Sequence, residues 1–106
     1  MLKGQLVPFN SSVYSFNLFT LATVNEVGAT YGLFMPTPGR PGFYTCLYVG
    51  QTNNLRTRMY EHYNNPPIAG VTHFFAEVIS DEQQRKLREK QLIAEFSPLG
   101  NKTRGG

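Results

Sequence analysis

The segment from Tyr48 to His62, with the sequence YVGQTNNLRTRMYEH, decides the fold that we expect for this chain. It has the pattern of a strand that ends in a glycine turn and is followed by an amphipathic helix, opened by Thr52 or Asn53. Small α/β domains usually present their chemistry where strands end and helices begin. Arg58 and His62 are four residues apart, so they share one face of this helix. A tyrosine, an arginine and a histidine near one turn are a combination suited to handling a phosphate.

The residues around this segment predict further strands. A run rich in aromatic and aliphatic residues predicts a strand over residues 30–35, which Pro36 ends. Prolines and glycines make residues 36–42 a loop, and it leads into an antiparallel strand over residues 43–49. A third strand is expected over residues 73–79. Because side chains alternate along a strand, we expect the second strand to carry Tyr44, Cys46 and Tyr48 on one face and Thr45, Leu47 and Val49 on the other.

Two helices accompany these strands. The first is expected over residues 53–63, and two asparagines followed by two prolines end it at residues 64–67. The second follows a capping box formed by Ser80 and Gln83 and runs to about residue 96. The buried face of the first helix is predicted to consist of Leu55, Met59, His62 and Tyr63.

The fold class predicted from these elements is α/β, an α+β sandwich in which a small three-stranded antiparallel sheet is flanked by helices. Residues 1–27 are expected to be an N-terminal extension packed on or leading into the domain, residues 28–101 the domain, and residues 102–106 a flexible tail. Within the extension, residues 14–18 suit an edge strand, and a helical turn near residues 20–25 fits equally well.

Composition narrows the functional classes. The chain has 106 residues, enough for one domain with one core, and a formal charge of +3, which permits nucleic-acid binding without requiring it. Its one cysteine, Cys46, excludes an internal disulfide and a cysteine-rich zinc site, and is expected to be a buried, inert thiol. The sequence lacks a membrane-spanning apolar run and a signal-peptide pattern, so we expect a cytoplasmic protein with no membrane partner.

Glu89 has the least usual placement in the sequence. It shares a helical stripe with Ile93 and Phe96, and a carboxylate directed toward a core is costly unless a cation meets it. One interpretation is a glutamate at the edge of the stripe, solvated or paired with Lys86. The other is a metal ligand, because Mg²⁺ commonly takes one or two carboxylates and completes its shell with water and phosphate.

The other candidates also allow two interpretations each. Arg58 is either a surface arginine or a phosphate clamp, and His62 either a half-buried structural imidazole or an acid–base group. Tyr31 and Tyr48 are either ordinary strand aromatics or participants in the chemistry.

Several spaced motifs together resemble the GIY-YIG endonuclease family. Ala29-Thr30-Tyr31 and Tyr48-Val49-Gly50 resemble its two-part signature, and residues 51–62 resemble the strand, turn and helix that follow it. Residues 88–101 resemble its closing helix, with a glutamate and then an asparagine after a proline. Two features differ from the family pattern. Ala29-Thr30 replaces the preferred Gly-Ile, so Gly28 is expected to support the first turn, and the insertion at residues 36–42 is expected to alter substrate access while the core is retained.

The resemblance implies a DNA endonuclease that hydrolyses phosphodiester bonds with one divalent cation per site, Mg²⁺ or Mn²⁺. One of the two tyrosines, with Tyr31 preferred over Tyr48, would be the general base or a relay toward the attacking water. Because a phenol is a poor base at its usual pKa, nearby cations or the metal would have to favour its phenolate. Arg58 would neutralise the scissile phosphate, and His62 would orient or shuttle a proton. Glu89 would hold the metal, which stabilises the leaving 3′ oxygen. Asn101 would orient a phosphate or tie the C-terminal turn in place.

DNA contacts are expected to be mostly to phosphates, because cations are few. Arg56, Arg40 and Lys102 are predicted to bind substrate with Asn101, and selectivity for DNA structure is favoured over sequence readout. The family resemblance is compatible with a role in DNA repair, recombination or restriction. It also leaves open whether the protein forms a homodimer and whether a partner protein targets it to its substrate. The alternatives are a non-catalytic nucleic-acid-binding module on the same fold and, with less support, a protein-interaction domain with an aromatic surface.

Overall fold

The structure is a computed structural model that describes residues 13–103, with side chains through Asn101. Its secondary-structure elements follow the predicted order. They are β1 (Tyr14–Ser15), α1 (Leu18–Leu21), β2 (Ala29–Pro36), β3 (Tyr44–Thr52), α2 (Leu55–Asn64), β4 (His73–Val78), α3 (Glu82–Phe96) and α4 (Leu99–Thr103).

The strands form one antiparallel sheet in the order β1-β4-β2-β3. Three of them are the predicted strands, and the two-residue β1 adds a fourth at one edge. Helices α1 and α2 pack on one face, where Leu21, Leu55 and Met59 join a buried cluster with Tyr31 and Leu33. Helix α3 packs on the other face, where Leu92 and Phe96 join a second cluster. The predicted α+β sandwich is confirmed.

Both interpretations of the N-terminal region are realised in part. Tyr14 and Ser15 pair with Phe74 and His73 of β4, and the short helix α1 follows, capped by the side chain of Asn17. The predicted boundary at residue 27 stays a prediction. Residues 1–12 of the predicted extension and residues 104–106 of the predicted tail lie outside the described residues, whereas helix α4 extends through Thr103.

The N-caps of the two long helices lie one or two residues after the positions that we predicted. Helix α2 is capped by Asn54, whose side chain accepts from the backbone N–H of Thr57, because Thr52 still belongs to strand β3. Helix α3 is capped by Asp81, whose carboxylate accepts from the N–H of Gln84. The predicted capping box of Ser80 and Gln83 is therefore wrong. A carboxylate at this position accepts a backbone N–H and also interacts favourably with the helix dipole.

Strand β3 contains an extra residue that breaks the predicted alternation. Leu33 pairs with Tyr48 but Phe34 pairs with Cys46, so Leu47 is bulged. As a result, Cys46 joins the cluster beneath α3, whereas Tyr48 packs against the cluster beneath α2. The prediction that Cys46 and Tyr48 share a face is wrong, since a bulge turns the following side chains over.

Cys46 is buried, as predicted, and burial raises the pKa of its thiol to about 12. The thiol is therefore protonated and unreactive at neutral pH. Among the described residues, no helix combines the length and the apolar character needed to cross a membrane.

Candidate active site

Tyr31 and His62 form the centre of the candidate site. Tyr31 lies in β2 and His62 on the buried face of α2, and the tyrosine hydroxyl is 2.7 Å from Nε2 of the imidazole. Both side chains are buried, with relative exposures of 0% and 8%. Leu55 and Met59 anchor the same helical stripe in the core, so the packing of α2 fixes the position of the imidazole. Tyr63, which we predicted for this stripe, is 37% exposed.

Gly50 makes room for this tyrosine. It pairs with Tyr31 across the sheet, and a Cβ atom at Gly50 would lie 2.5 Å from the Tyr31 hydroxyl oxygen and 2.7 Å from Cζ. Strand β3 continues past Gly50 to Thr52, so the predicted glycine turn is wrong. The glycine is required by a close approach of an aromatic ring and not by the backbone conformation.

Tyr48 completes an aromatic group with Tyr31 and His62. The ring centroid of Tyr48 lies 6.4 Å from that of Tyr31 and 5.4 Å from that of His62. This placement depends on the bulge at Leu47, which turns Tyr48 toward the face that carries Tyr31. Two tyrosines and a histidine from three elements therefore meet beside the edge strand β3.

Arg58 lies on α2, one turn before His62, and is partly exposed. Its guanidinium is close enough to the Tyr31 phenol to lower the pKa of that group, and its Nε donates to Oε1 of Glu61 over 2.9 Å. The predicted phosphate clamp is thus next to the predicted base. A guanidinium in this position can bind a phosphate oxygen close to the phenol.

The protonation state of Tyr31 differs from our expectation. Burial strongly raises the pKa of its phenol, the neighbouring Tyr48 raises it further, and the nearby Arg58 guanidinium lowers it by a smaller amount. Desolvation disfavours the phenolate more than the cation favours it. In the protein by itself Arg58 does not overcome the effect of burial, so Tyr31 is a neutral hydroxyl that can accept one proton while it donates another. The contribution expected from the metal stays a prediction.

Glu89 lies on α3 and is partly buried. Burial raises the pKa of its carboxyl, an effect that Lys86 partly offsets. Lys86 pairs with Glu82 over 2.9 Å, so the pairing of Lys86 with Glu89 that we considered is not formed. The carboxylate lines an open depression with Gln51, Lys86, Leu87 and Lys90, and it is close enough to Tyr31 to influence the pKa of that phenol.

The donors around Glu89 fit a hard cation that retains most of its water. No group of three histidine, cysteine, aspartate or glutamate side chains suited to a metal occurs among the described residues, so an all-protein cage is not formed there. Mg²⁺ is commonly bound by one or two carboxylates, with water and phosphate oxygens as the other ligands. A single partly buried carboxylate facing an open depression suits that mode of binding.

Both the oxygen and the nitrogen of the Asn101 side-chain amide form hydrogen bonds with the backbone of β3. Val49 N–H donates to Oδ1, and Nδ2 donates to the Val49 carbonyl oxygen, each over 2.8 Å. Of the two roles that we considered, this geometry favours tying the C-terminal segment in place. The bonds occupy part of the outer edge of β3 directly before Gly50.

The other predicted substrate-binding cations are spread more widely. Arg56 is exposed on α2, near Arg58. Arg40 stacks on the Phe43 ring at 4.8 Å, at the tip of the β2–β3 hairpin. The last pair of the hairpin, Pro36 and Tyr44, lies five residues along β2 from Tyr31, which is about 17 Å at a rise of about 3.3 Å per residue. The tip with Arg40 lies beyond that pair. Arg40 is therefore not brought to the centre, and Lys102 lies in α4, where its side chain is not described.

Sequence reasoning missed Arg85 and Gln51. Arg85 is 5% exposed, and its Nε donates to the amide oxygen of Gln51 over 3.1 Å. Arg85 is four residues before Glu89 and seven before Leu92, so the helical spacing that singled out Glu89 applies equally to it. Gln51 directly follows the signature glycine, but a glutamine at the end of a strand is not distinctive.

Comparison with solved structures finds similar chains, and three of them come from one protein. They are point mutants of the GIY-YIG N-terminal endonuclease domain of UvrC from Thermotoga maritima, two with a tyrosine changed to phenylalanine and one with an asparagine changed to alanine, each bound to its catalytic divalent cation. Sequence identity is 17% for the tyrosine mutants and 18% for the asparagine mutant, with TM-scores of 0.58 and 0.60. Each match covers 77% of this chain and 90% of the other. Protein-family models and curated proteins give no match. This chain therefore has a GIY-YIG-like fold.

Proposed function

We propose that this chain is a divalent-metal-dependent endonuclease that hydrolyses phosphodiester bonds in DNA. The observation that carries the proposal is the hydrogen bond of 2.7 Å between the buried Tyr31 hydroxyl and His62, with the Arg58 guanidinium close enough to lower the pKa of the same phenol. A buried tyrosine needs only one hydrogen-bond partner for stability. Arg58 and Glu89 are both close enough to influence the pKa of this phenol, and a cation and a carboxylate around a buried hydroxyl support a phosphoryl-transfer site.

Tyr31 and His62 act together as a proton relay. The attacking water gives a proton to the Tyr31 oxygen while the phenolic proton passes to Nε2 of His62. The imidazole must then be neutral, with its proton on Nδ1, before the reaction starts. Because burial raises the pKa of Tyr31, a relay through the neutral hydroxyl avoids formation of a free phenolate. Tyr48 packs on both rings and limits their movement.

Arg58 binds the scissile phosphate. Its guanidinium is partly exposed, so it can reach a phosphate oxygen in solution. The positive charge neutralises the extra negative charge that develops on the phosphorus oxygens in the transition state. The exposed ion pair with Glu61 is worth little by itself and exchanges readily for a phosphate contact.

Glu89 holds the divalent cation, which is Mg²⁺ or Mn²⁺. When bound, this ion supplies stabilisation of the negative charge on the leaving 3′ oxygen. The chain's own contribution is a carboxylate that must be ionised to act as a ligand. Since burial raises the pKa of Glu89, loss of metal binding on acidification is expected to begin at a higher pH than for an exposed carboxylate.

DNA is bound mainly through phosphates. Arg56 and Arg58 contact the strand that is cut, Arg40 reaches the duplex away from the cleavage point, and Lys102 adds a contact from α4. With so few cations, affinity is weak and falls steeply with salt, and base-specific readout is limited. DNA with nicks, flaps or branches is the preferred substrate class.

The proposal is tested by cleavage of supercoiled plasmid and of nicked, flap and junction oligonucleotides. Wild type is expected to cut in Mg²⁺ or Mn²⁺ and not in EDTA, and Glu89→Gln is expected to be inactive. Glu95→Gln, at an exposed glutamate of the same helix, is the matched control and is expected to cut like wild type. A folded wild-type protein that cuts none of these substrates would refute the enzyme and favour the non-catalytic binding module.

A further inference from the structure

Arg85 is a buried cation whose hydrogen-bond acceptors, among residues 13–101, are neutral. Its Nη1 donates to the carbonyl oxygens of Ile79 and Ser80 over 3.0 and 2.8 Å, and its Nε donates to Oε1 of Gln51. Arginine is seldom buried without an anionic partner, because desolvation of the charge is costly. The bonds to the two carbonyls stabilise the turn between β4 and α3. The bond to Gln51 reaches strand β3, so stabilisation of this turn does not explain it.

The surroundings hold the guanidinium in one place. The Thr30 hydroxyl donates to the Arg85 carbonyl oxygen over 3.0 Å, and Gly28 packs so closely that an added Cβ would collide with Nη1. Thr30 is also the residue paired with Gln51 across the sheet. The backbone of β2 thus fixes Arg85 relative to Gln51.

This contact sets the orientation of the Gln51 amide. A guanidinium has donors only, so the atom that faces Arg85 must be the amide oxygen and the NH₂ group must point away from it. Within the described residues, Nε2 of Gln51 has no hydrogen-bond partner in the protein. Gln51 lines the same open depression as Glu89, so a fixed pair of N–H donors is presented there without a protein acceptor.

We propose that Gln51 donates a hydrogen bond to a non-bridging phosphate oxygen of DNA at the Glu89 depression, and that Arg85 is the positioning residue for its amide. The inference rests on the proposed function. A neutral donor suits this location, because it binds an anionic oxygen without forming an ion pair with Glu89. The charge of the carboxylate then remains available to the metal.

The first test is Gln51→Met, which keeps the length of the side chain and removes its donors and acceptor. Binding to a nicked duplex in EDTA is measured by fluorescence anisotropy, and cleavage kinetics are measured in Mn²⁺. We expect about tenfold weaker binding and a KM raised by a similar factor, with kcat nearly unchanged, as for a lost ground-state contact. Gln83→Met, at an exposed glutamine of α3, is the control and should bind like wild type.

The second test examines the role of Arg85. Arg85→Lys keeps the charge but cannot reproduce the planar guanidinium contacts, so the amide loses its orientation. In the wild-type background, we expect Arg85→Lys to weaken DNA binding several-fold. In the Gln51→Met background, we expect the same substitution to cause no further loss, which is the pattern for residues that act through each other. Equal losses in both backgrounds would overturn the positioning role. If Arg85→Lys does not fold, Gln51→Met still decides the proposal.

The outcomes separate the two proposals. A wild type that binds and cuts nicked DNA, with a Gln51→Met variant equal to it in affinity and KM, would overturn only the inference on Gln51. A folded wild type that neither binds nor cuts the duplex would overturn the nuclease as well. A fall in kcat with unchanged KM and affinity would also contradict a phosphate contact.

Discussion

The phenolic oxygen of Tyr31 and Nε2 of His62 lie 2.7 Å apart in the core, although the two residues are 31 positions apart in sequence. Strand β2 supplies one and the buried face of α2 supplies the other. Gly50 leaves the space that the phenol needs, and Tyr48 packs against both rings. The chemistry that we propose depends on this one contact, so most of the predictions below change a residue that forms or supports it.

Replacement of His62 by alanine is expected to lower the cleavage rate by a factor of about 10²–10⁴, the usual contribution of a proton-transfer group. The variant removes a buried ring and leaves space beside Tyr31. Added imidazole is therefore expected to restore part of the rate in a single-turnover assay. The chain's other histidine supplies the control, because His73→Ala removes a ring that packs on Tyr44, away from Tyr31. Equal activity of His62→Ala and wild type would refute the relay.

Gly50→Ala is expected to destabilise the protein by about 1–3 kcal/mol, the usual cost of overpacking a core. The added methyl group would lie 2.5 Å from the Tyr31 oxygen. Urea denaturation of the variant measures the loss. In a Tyr31→Phe background the nearest clash is gone, so a smaller loss is expected from the same substitution. An identical loss in the two backgrounds would show that the phenol does not cause it.

Asn101→Ala is expected to lower the free energy of unfolding by about 1–3 kcal/mol, because two backbone groups of Val49 lose their partner. Asn101→Asp keeps the acceptor for Val49 N–H and places a carboxylate against the Val49 carbonyl oxygen, so it is expected to be no more stable than alanine. Urea denaturation of the three proteins tests this. A stable Asn101→Ala variant with weakened DNA binding would instead support the phosphate-orienting role.

The raised pKa of Tyr31 predicts a loss of stability at alkaline pH. A tyrosine in the unfolded chain loses its proton near pH 10, whereas buried Tyr31 keeps its proton to higher pH. Above about pH 10 the folded state therefore binds more protons than the unfolded state, and the free energy of unfolding falls by up to about 1.4 kcal/mol per pH unit. Below that pH the contribution is constant.

Tyr31→Phe isolates this effect, because phenylalanine has no proton to lose. Urea denaturation from about pH 8 to about pH 11 is expected to give a shallower alkaline decline for this variant than for wild type. Tyr63→Phe, at a tyrosine that packs on Phe16 and is 37% exposed, is the control for removing a phenol elsewhere. Parallel declines in wild type and Tyr31→Phe would contradict the raised pKa.

The order of the main strands and helices could be predicted from the sequence because it depends on local patterns. Proline and glycine mark the loop at residues 36–42, and the spacing of Leu55, Met59 and His62 defines the buried face of α2. The same periodicity marks Glu89 as a carboxylate near the core, and it applies equally to Arg85, which is buried.

Features that depend on pairing between strands could not be predicted in this way. The bulge at Leu47 follows from the register between β2 and β3, and a single extra residue reverses the direction of Tyr48. The need for glycine at position 50 comes from the ring of Tyr31 on the neighbouring strand. The direction of the Tyr31 pKa shift depends on the balance between burial and Arg58, which only the packed structure determines.

The most direct test of the nuclease mechanism is the single-turnover rate of DNA cleavage by Tyr31→Phe in Mn²⁺, with DNA affinity measured in parallel. The substitution removes one oxygen atom and leaves the ring in the core. We predict a rate at least about 100-fold below wild type with nearly unchanged affinity, because the relay loses its middle group. Tyr63→Phe should cut at the wild-type rate. Cleavage by Tyr31→Phe at the wild-type rate would contradict the proposed role of Tyr31 and the mechanism built on it.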